Sequence, residues 1–465
     1  MSKRVVITGI GVIAPNGIGK DEFWNSTVSG ESGIGRVTRF DPSEYPSQVA
    51  GEVKDFDASK YMDYKLGRRL SRFAQFALAA TRMAVDDASL KLDGSDEDLS
   101  YRTGISFATS IGGQELNEQQ YDVFREKGVN GINPLCVSVI NNNTALGVIA
   151  QEFRIKGPNM TICTGCSSAL NAIAYGYDLI KNGRADVVIA GGSETPITPF
   201  AFDTFCAAQV LAKGKGKENP KTVSRPFEKS REGYILSEGA GVVVMESYEF
   251  AMKRKAKMYA EVSGYGVTND GYNIFKMEPT GKEVVKAINL ALDESGLEPE
   301  DIDYVNAHGS SSQVSDKRET MAIKEVFGES AYDIPVSSIK SMIGQPLAST
   351  GAIQMAATLM SIQENHLPPT INYEEEDPDC DLDYVPNKSR RNEVNSALIN
   401  SFGLGGNNIS MIVKRVDYQG VKNTAAINAG IFPEMYGNSG GGLCKTSQFK
   451  ISNLFSGKLM NLRLF

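Results

Sequence analysis

With 465 residues, of which 41% are hydrophobic and 22% charged, the chain has an ordinary globular composition and room for two or three domain-sized units. A formal net charge of −8 argues against a general nucleic-acid-binding surface. Six cysteines over this length do not resemble a disulfide framework, so we expect a protein of the reducing cytoplasm. The sequence predicts no membrane span, because its apolar stretches are too short.

In chain order, segments rich in β-branched residues alternate with segments of helical periodicity, which predicts an α/β protein with buried, largely parallel strands. Gly9 and Gly11 interrupt the first apolar run, which we interpret as a strand rather than a signal peptide. The predicted strands cover residues 4–9, 103–109, 186–191, 240–246, 303–307 and 396–401. The predicted helices cover residues 68–88, 140–153, 167–182, 282–295, 316–326 and 351–364.

The order of these elements repeats within the chain. Four pairs of segments match in the same order: 4–12 with 260–267, 84–90 with 291–297, the helix after Cys166 with 351–356, and 187–192 with 397–403. These matches predict two related halves, residues 1–255 and 256–417, whose strand ends meet at a common seam where a ligand site is expected. Residues 418–465 lose the pattern and form a C-terminal extension of unknown role.

Cys166 lies between Gly165 and a predicted helix that is apolar almost all the way round. At the mouth of a helix, free backbone N–H groups and the helix dipole lower the pKa of a thiol and favour a thiolate nucleophile. A buried structural cysteine is the alternative. Cys163 and Cys166 also form a Cys-x-x-Cys pair, but Cys163 falls in the preceding strand and no second pair follows. The pattern therefore disfavours redox and metal roles.

His308 is one of only two histidines, and it directly follows a predicted strand, where loops often carry function. A hydrogen-bonded structural histidine is the alternative. Several other short motifs accompany it, and the full set is Gly165-Cys166-Ser167-Ser168, Arg225-Pro226-Phe227-Glu228, Glu238-Gly239-Ala240-Gly241, Asn306-Ala307-His308-Gly309, Ser337-Ser338-Ile339-Lys340-Ser341 and Asn400-Ser401-Phe402-Gly403-Leu404-Gly405-Gly406. In order and spacing this set resembles the elongating β-ketoacyl-[acyl-carrier-protein] synthases, across about residues 3–416.

The resemblance implies the thiolase fold, with duplicated halves in five αβαβα layers, and a dimer. It implies an acidic acyl carrier protein as partner, which delivers acyl and malonyl groups on a phosphopantetheine arm, and no bound organic cofactor. Carried over by position, Cys166 accepts the acyl chain as a thioester, and His308 helps to decarboxylate the malonyl unit and stabilises the enolate. Lys340 organises the site electrostatically. The backbone N–H groups of Cys166 and Phe402 form the oxyanion hole, and Phe402 and Gly403 lie at the gate of the acyl pocket.

The chain departs from the family at one expected catalytic position. Elongating members carry Lys-Ser-x-x-Gly-His, whereas this sequence ends the same run in Gln345. A glutamine amide keeps two N–H donors but cannot act as a base or carry a positive charge. Full removal of an oxyanion donor costs roughly 10²–10³ in rate, so we expect a smaller loss here. Two further departures are Ser310 after His308-Gly309, and Gln354 in place of the glutamate usual in that helix.

Three functions follow from this pattern. The first is decarboxylative Claisen condensation by a Cys-His-Gln site, in fatty acid, polyene or polyketide synthesis. The second is a chain-length-factor-like, non-condensing subunit of a heterodimer, against which the retention of Cys166 speaks. The third is an acyltransferase or malonyl decarboxylase that does not elongate. The dimer partner is accordingly a second copy or a related ketosynthase subunit.

An acidic chain can bind an acidic carrier protein only through a local basic patch. We expect that patch around one predicted helix start, at Lys65, Arg68, Arg69 and Arg72. A second, less favoured group lies in a loop at Lys213, Lys215 and Lys217. Ordinary solvated charge is the alternative for both groups.

Overall fold

The fold is built on one large mixed sheet that helices cover on both faces. The computed structural model describes residues 3–214 and 218–417. Its described strands are β1 (Val5–Ala14), β2 (Gly17–Ile18), β3 (Ile34–Arg36), β4 (Val49–Gly51), β5 (Thr103–Ala108), β6 (Asn159–Ile162), β7 (Val187–Glu194), β8 (Gly239–Ser247), β9 (Ala260–Asn269), β10 (Tyr304–Asn306), β11 (Val336–Ser337), β12 (His366–Leu367), β13 (Arg390–Arg391), β14 (Ser396–Gly403) and β15 (Asn407–Lys414).

The described helices alternate with these strands. They are α1 (Lys20–Val28), α2 (Tyr64–Gly67), α3 (Arg72–Asp87), α4 (Glu97–Arg102), α5 (Gln114–Lys127), α6 (Cys136–Ile140), α7 (Thr144–Glu152), α8 (Ser168–Lys181), α9 (Pro199–Ala207), α10 (Tyr248–Lys253), α11 (Lys282–Ser295), α12 (Gln313–Phe327), α13 (Lys340–Ile343) and α14 (Thr350–Glu364). None of the helices in the described part of the chain has the length and apolar character needed to cross a bilayer.

The main sheet contains the same strand arrangement twice. Its order is β11-β10-β14-β15-β9-β1-β8-β7-β5-β6, with β2 paired to β1. From the central β9–β1 junction outward, each side has two antiparallel pairings followed by two parallel ones. The expectation of largely parallel strands was therefore wrong, because the two strands nearest the centre on each side run antiparallel to their neighbours.

The helices form three layers around the two halves of this sheet. Helices α3 and α7 cover the outer face of the first half, and α11 and α12 cover that of the second. Helices α8 and α14 pack against each other and against strands of both halves, so they form the central layer. This αβαβα arrangement explains why α8 is apolar nearly all the way round: it is buried on both sides.

Close packing of α3 on β1 depends on the glycines that interrupt the first apolar run. All ten residues of β1 are buried. A Cβ atom at Gly11 would lie 1.9 Å from the Ala80 carbonyl oxygen, and one at Gly9 would lie 2.1 Å from that of Ala84. A side chain at either position would push the helix off the sheet, so these glycines are required for packing.

Every predicted strand and helix is present; the helix predicted for 282–295 has those bounds, and the other elements have shifted ends. The largest shift is in the strand predicted for 4–9, because β1 continues to Ala14; the helix predicted for 68–88 begins only at Arg72, after the short α2. Strand β15 and helices α5 and α9 have no clear signal in the sequence and were not predicted. The repeated strand order supports two halves, but the boundary at 255/256 stays a prediction, since residues up to Val416 form one compact unit. The proposed extension at 418–465 lies outside the described residues.

Candidate active site

Four of the predicted site residues line one cavity of about 890 Å³. They are Cys166, His308, Gln345 and Phe402, which come from four separate segments of the chain. Cys166 belongs to the first half of the repeat and the other three to the second. The structure therefore brings the predicted nucleophile and its partners together at the seam between the halves.

A tight turn presents Cys166 at the start of α8. Gly165 has a φ of +66°, a left-handed conformation that glycine adopts without strain, and α8 begins at Ser168. The Ser401 hydroxyl donates a hydrogen bond of 3.1 Å to the Cys166 carbonyl oxygen, which ties the turn to β14. A Cβ at Gly403 would lie 2.6 Å from the Thr164 oxygen, so only glycine permits this close approach.

The predicted lowering of the Cys166 pKa was wrong in direction. Cys166 is only 9% exposed, and burial raises the pKa of its thiol above the ordinary value of 9.0. A hydrogen bond from the Gln345 side chain and the positive charge of Lys340 act against this shift without cancelling it. Cys166 precedes the N-cap residue Ser167 and lies in a closed site, so desolvation of the thiolate outweighs the helix dipole.

His308 is neutral near pH 7, and its hydrogen bonds define which nitrogen carries the proton. Burial lowers its pKa well below the ordinary value of 6.5, and the charges of Lys340 and Arg318 lower it further. The backbone N–H of Phe402 donates to His308 Nδ1 at 3.1 Å. Because Nδ1 accepts, the proton of the neutral ring belongs on Nε2, and the ring offers one N–H donor there.

The backbone of His308 is held from both sides by a buried acid and a buried base. Its N–H donates to Glu319 at 2.8 Å, and Lys340 Nζ donates to its carbonyl oxygen. Burial lowers the pKa of Lys340 to about 8 and raises that of Glu319 to about 7, each group opposing the shift of the other through its charge. Lys340 thus holds the His308 carbonyl, and its charge favours the thiolate of Cys166; its electrostatic role in catalysis stays a prediction.

Sequence reasoning missed Glu319. It lies on α12, directly after the loop that carries His308, and it also accepts from the Gly309 N–H at 2.8 Å and from Asn400 at 3.1 Å. Asp316, three residues earlier on the same helix, accepts from the N–H groups of Ser310 and Ser311. Two carboxylates at this spacing behind a candidate catalytic loop were the signal that could have identified them.

Gln345 has a fixed backbone and an incompletely satisfied side chain. Its N–H donates to Ile235 at 2.7 Å, and its carbonyl accepts from the Ser237 N–H at 3.1 Å. The side chain, which is 1% exposed, hydrogen-bonds to Cys166, whereas its Oε1 has no partner among the described residues. Gln345 therefore supplies an amide donor beside the nucleophile, together with a buried, unpaired acceptor.

The predicted oxyanion role of Phe402 stays a prediction, because its N–H is already engaged by His308 in this conformation. Its ring packs beside His308, with centroids 5.1 Å apart, at the wall of the cavity. Gln354 lies in a further layer, where its amide donates to oxygens of Ala307 (2.8 Å) and Asn400 (3.2 Å). It thereby links α14 to the strand ends that carry the site.

Of the remaining predicted residues that the structure describes, Lys213 also lines this cavity, whereas the others lie apart from it. Cys163 is an exposed free thiol that lines a separate cavity, whereas Cys166 is a buried one. Lys65, Arg68 and Arg69 are exposed, as a docking patch requires. The structure removes Arg72 from the predicted docking patch. Its guanidinium forms a bidentate ion pair with the buried Glu238, at 2.8 and 2.9 Å, and so does not face a partner. Of the second basic group, Lys215 and Lys217 lie outside the described residues.

Comparison with known proteins shows which family the chain resembles. Family models for the N-terminal and C-terminal domains of β-ketoacyl synthases match residues 2–251 and 259–374. The chain is 42% identical over 413 residues to 3-oxoacyl-[acyl-carrier-protein] synthase 2 of Synechocystis sp., which covers 89% of this chain and 98% of that protein.

Two solved structures extend the comparison to the fold. A ketosynthase in complex with its type II polyketide acyl-carrier protein is 33% identical, with a TM-score of 0.83, over 90% of this chain and 100% of that chain. The ishigamide ketosynthase/chain length factor is 34% identical, with a TM-score of 0.82 and the same coverage. These likenesses confirm the predicted thiolase fold.

Proposed function

This chain belongs to the β-ketoacyl synthase family, and from that membership we propose that it condenses acyl and malonyl units through a Cys166–His308–Gln345 site. It is an acyltransferase-class enzyme, an elongating β-ketoacyl-[acyl-carrier-protein] synthase of fatty acid or polyketide synthesis. The observation that carries the proposed mechanism is that the thiol, the imidazole and the amide line one cavity, with Lys340 behind them.

The first step transfers an acyl group to Cys166. The Cys166 sulfur attacks the carbonyl carbon of the carrier thioester, a new C–S bond forms, and the bond to the phosphopantetheine sulfur breaks. The thiol proton leaves with the phosphopantetheine sulfur, so no net charge changes. Burial raises the pKa of Cys166, and the Lys340 charge and the Gln345 hydrogen bond oppose this shift and so favour the thiolate.

The second step breaks the bond between the malonyl methylene and its carboxylate, which releases carbon dioxide and leaves an enolate. His308 Nε2–H and an N–H of Gln345 are two side-chain donors on this cavity that can bind the enolate oxygen. The enolate carbon then attacks the acyl carbon on Cys166, the C–S bond to Cys166 breaks, and a β-ketoacyl carrier leaves. Both donors are neutral, so the step needs no proton from a cationic histidine.

Intact-mass analysis of the purified chain with acyl-carrier and malonyl-carrier tests this proposal. We expect an acylated Cys166, followed by loss of the acyl group and formation of a β-keto product two carbons longer. A Cys166→Ser variant, which keeps the site closed but lacks the thiol, is the matched control. Failure to elongate any acyl-carrier in the presence of malonyl-carrier would contradict the proposal.

The alternatives correspond to different outcomes of the same experiment. Release of carbon dioxide without a longer product would indicate a malonyl decarboxylase. If the chain by itself shows no acylated Cys166, but condensation occurs when a related ketosynthase is added, the result would indicate the chain-length-factor-like role. The likeness to a ketosynthase/chain length factor makes this the alternative to test first, although the buried Cys166 thiol at the cavity wall supports the catalytic role.

We assign carrier docking to a smaller patch than the sequence predicted. Lys65, Arg68 and Arg69 are exposed on and beside α2, and Arg68 also lies over the Tyr64 ring, 5.6 Å from its centroid. With Arg72 withdrawn into its ion pair, these three cations remain free to meet an acidic carrier. The related ketosynthase that was solved with its acyl-carrier protein supports a carrier as the partner.

Dimerisation through the edge strand β6 is the second proposed interaction. Among the strands that the structure describes, β6 pairs only with β5, so its outer edge offers free backbone donors and acceptors. Met160 on this strand is an exposed apolar side chain, and so is Val137 on α6. We propose that a second copy, or a related ketosynthase subunit, covers this edge. Met252 on α10 has a similar exposure and gives a matched control position.

The cytoplasmic location predicted from the cysteine content also stays a proposal. The five cysteines among the described residues are all free thiols, which is consistent with a reducing compartment. Growth of the source cell with a tagged copy, followed by fractionation, would test it directly. Recovery of the tagged chain from an oxidising compartment would contradict it.

A further inference from the structure

Buried polar atoms without a hydrogen-bond partner are concentrated at the active-site cavity. Four of those found among the described residues belong to side chains that line it: Ser47 Oγ, Tyr234 Oη, Ser315 Oγ and Gln345 Oε1. A buried polar group that stays unpaired is unfavourable, and native structures contain few of them. Their presence around one cavity points to groups that a ligand completes.

Tyr234 and Gln345 form the part of this set that lies nearest to Cys166. Gln345 pairs with Leu236 in a parallel bridge, and its N–H donates to Ile235. Alternate residues of an extended segment share a face, so Tyr234 and Leu236 point to the same side. The side chains of Tyr234, Gln345 and Cys166 line the same cavity, and that of Gln345 hydrogen-bonds to the Cys166 sulfur.

The surrounding wall is apolar, which isolates these two polar atoms. Tyr234 and Cys166 belong to one hydrophobic cluster with Phe202, Leu211 and Leu236. The Tyr234 ring also packs edge-on against Phe205, with centroids 6.4 Å apart. Its hydroxyl is thus fixed in direction but unpaired, and it can both donate and accept a hydrogen bond. The Gln345 Oε1 atom can only accept.

We propose that Tyr234 and Gln345 select acyl groups that carry a hydroxyl on the β-carbon. This inference rests on the proposed acylation of Cys166. Once the acyl group is on the sulfur, its β-carbon lies three bonds from that atom, beside the cavity that both side chains line. A β-hydroxyl can accept from Tyr234 and donate to Gln345 Oε1, which satisfies both groups. A β-keto oxygen can satisfy Tyr234 alone, and a saturated chain satisfies neither while it excludes water from both.

The discrimination follows from what each substrate leaves unpaired. Sites built to hydrogen-bond a substrate hydroxyl reject analogues that lack it more strongly than apolar pockets distinguish chains of different length. For two neutral hydrogen bonds we expect acylation by a β-hydroxyacyl group to be about tenfold faster than by the saturated group of equal length. The β-ketoacyl group is expected to fall between them.

Single-turnover acylation of Cys166, followed by intact mass, tests the proposal. The probes are carrier thioesters of one chain length, either saturated, β-keto, or β-hydroxy in each configuration. In wild-type protein we expect the β-hydroxy group, in one configuration, to react fastest. Tyr234→Phe removes only the hydroxyl and should lower the ratio of β-hydroxy to saturated rate by about three- to tenfold.

Tyr248→Phe is the matched control. Tyr248 is also buried with an unpaired hydroxyl, but it packs in a different cluster, away from the cavity. If Tyr234 had only a structural role, or if the variant misfolded, Tyr234→Phe would lower the acylation rate of all probes equally. The ratio of the β-hydroxy rate to the saturated rate would then be unchanged. Equal wild-type rates for β-hydroxy and saturated probes overturn the inference, whatever the variants do. Failure of every probe to acylate Cys166 would instead overturn the proposed function.

Discussion

Gln345→Met is the most direct test of the substituted catalytic position. Methionine has a volume similar to that of glutamine but offers no N–H donor. The backbone hydrogen bonds of Gln345, at 2.7 Å to Ile235 and 3.1 Å from Ser237, do not involve the side chain and should persist. The variant therefore removes one donor and one unpaired acceptor from the site and leaves the chain path unchanged.

The magnitude follows from these two losses. Loss of one donor at a developing oxyanion costs about 2.7–4 kcal/mol, or roughly 10²–10³ in kcat. Loss of the unpaired Gln345 Oε1 relieves a desolvation penalty of about 1–3 kcal/mol, so the free energy of unfolding should not fall. Condensation should thus drop steeply in a protein that is at least as stable as the wild type. The Gln345→His variant keeps an N–H donor at this position. Burial and the charge of Lys340 should keep the new imidazole neutral, as they do for His308, so the variant should condense at least as fast as the wild type.

The assay separates the two half-reactions. Acylation of Cys166 is followed by intact mass, condensation by release of labelled carbon dioxide and formation of the longer product, and stability by urea unfolding. Because burial dominates the pKa of Cys166, acylation should fall less than condensation in Gln345→Met. Condensation within about threefold of wild type, in a protein that acylates normally, would refute the role of Gln345 as an enolate donor.

Three further predictions address reactivity, docking and assembly. Because the pKa of the Cys166 thiol is raised, its thiolate fraction and therefore its alkylation rate should still increase above pH 9.0. The exposed Cys163 serves as the internal reference for the alkylation measurement. A plateau of the Cys166 rate below pH 9.0 would contradict this prediction. Reversing Arg68 and Arg69 to Glu should weaken carrier binding about tenfold at low salt and little at high salt, and an unchanged affinity and salt dependence would place docking elsewhere. Met160→Lys at the β6 edge should shift light-scattering mass toward monomer, whereas the matched substitution on α10 should not; a dimer with both would exclude this edge.

The sequence by itself determined the chemistry-bearing residue types and their approximate elements. Residue identity and local periodicity are local properties, so the strand before His308, the helix after Cys166 and the internal repeat were all readable from the chain. The motifs also identified Gln345 as the departure, because an amide differs from an imidazole whatever surrounds it.

Only the tertiary structure decided how these residues act, because burial and pairing are set by segments distant in the chain. The closed site reversed the direction of the Cys166 pKa shift, and contact with Glu238 withdrew Arg72 from the docking patch. The Phe402 N–H turned out to be held by His308, and Glu319 emerged as the acid that positions it. Desolvation and hydrogen bonding depend on all the neighbours of a group in the folded chain, and the amino-acid sequence does not show which residues those are.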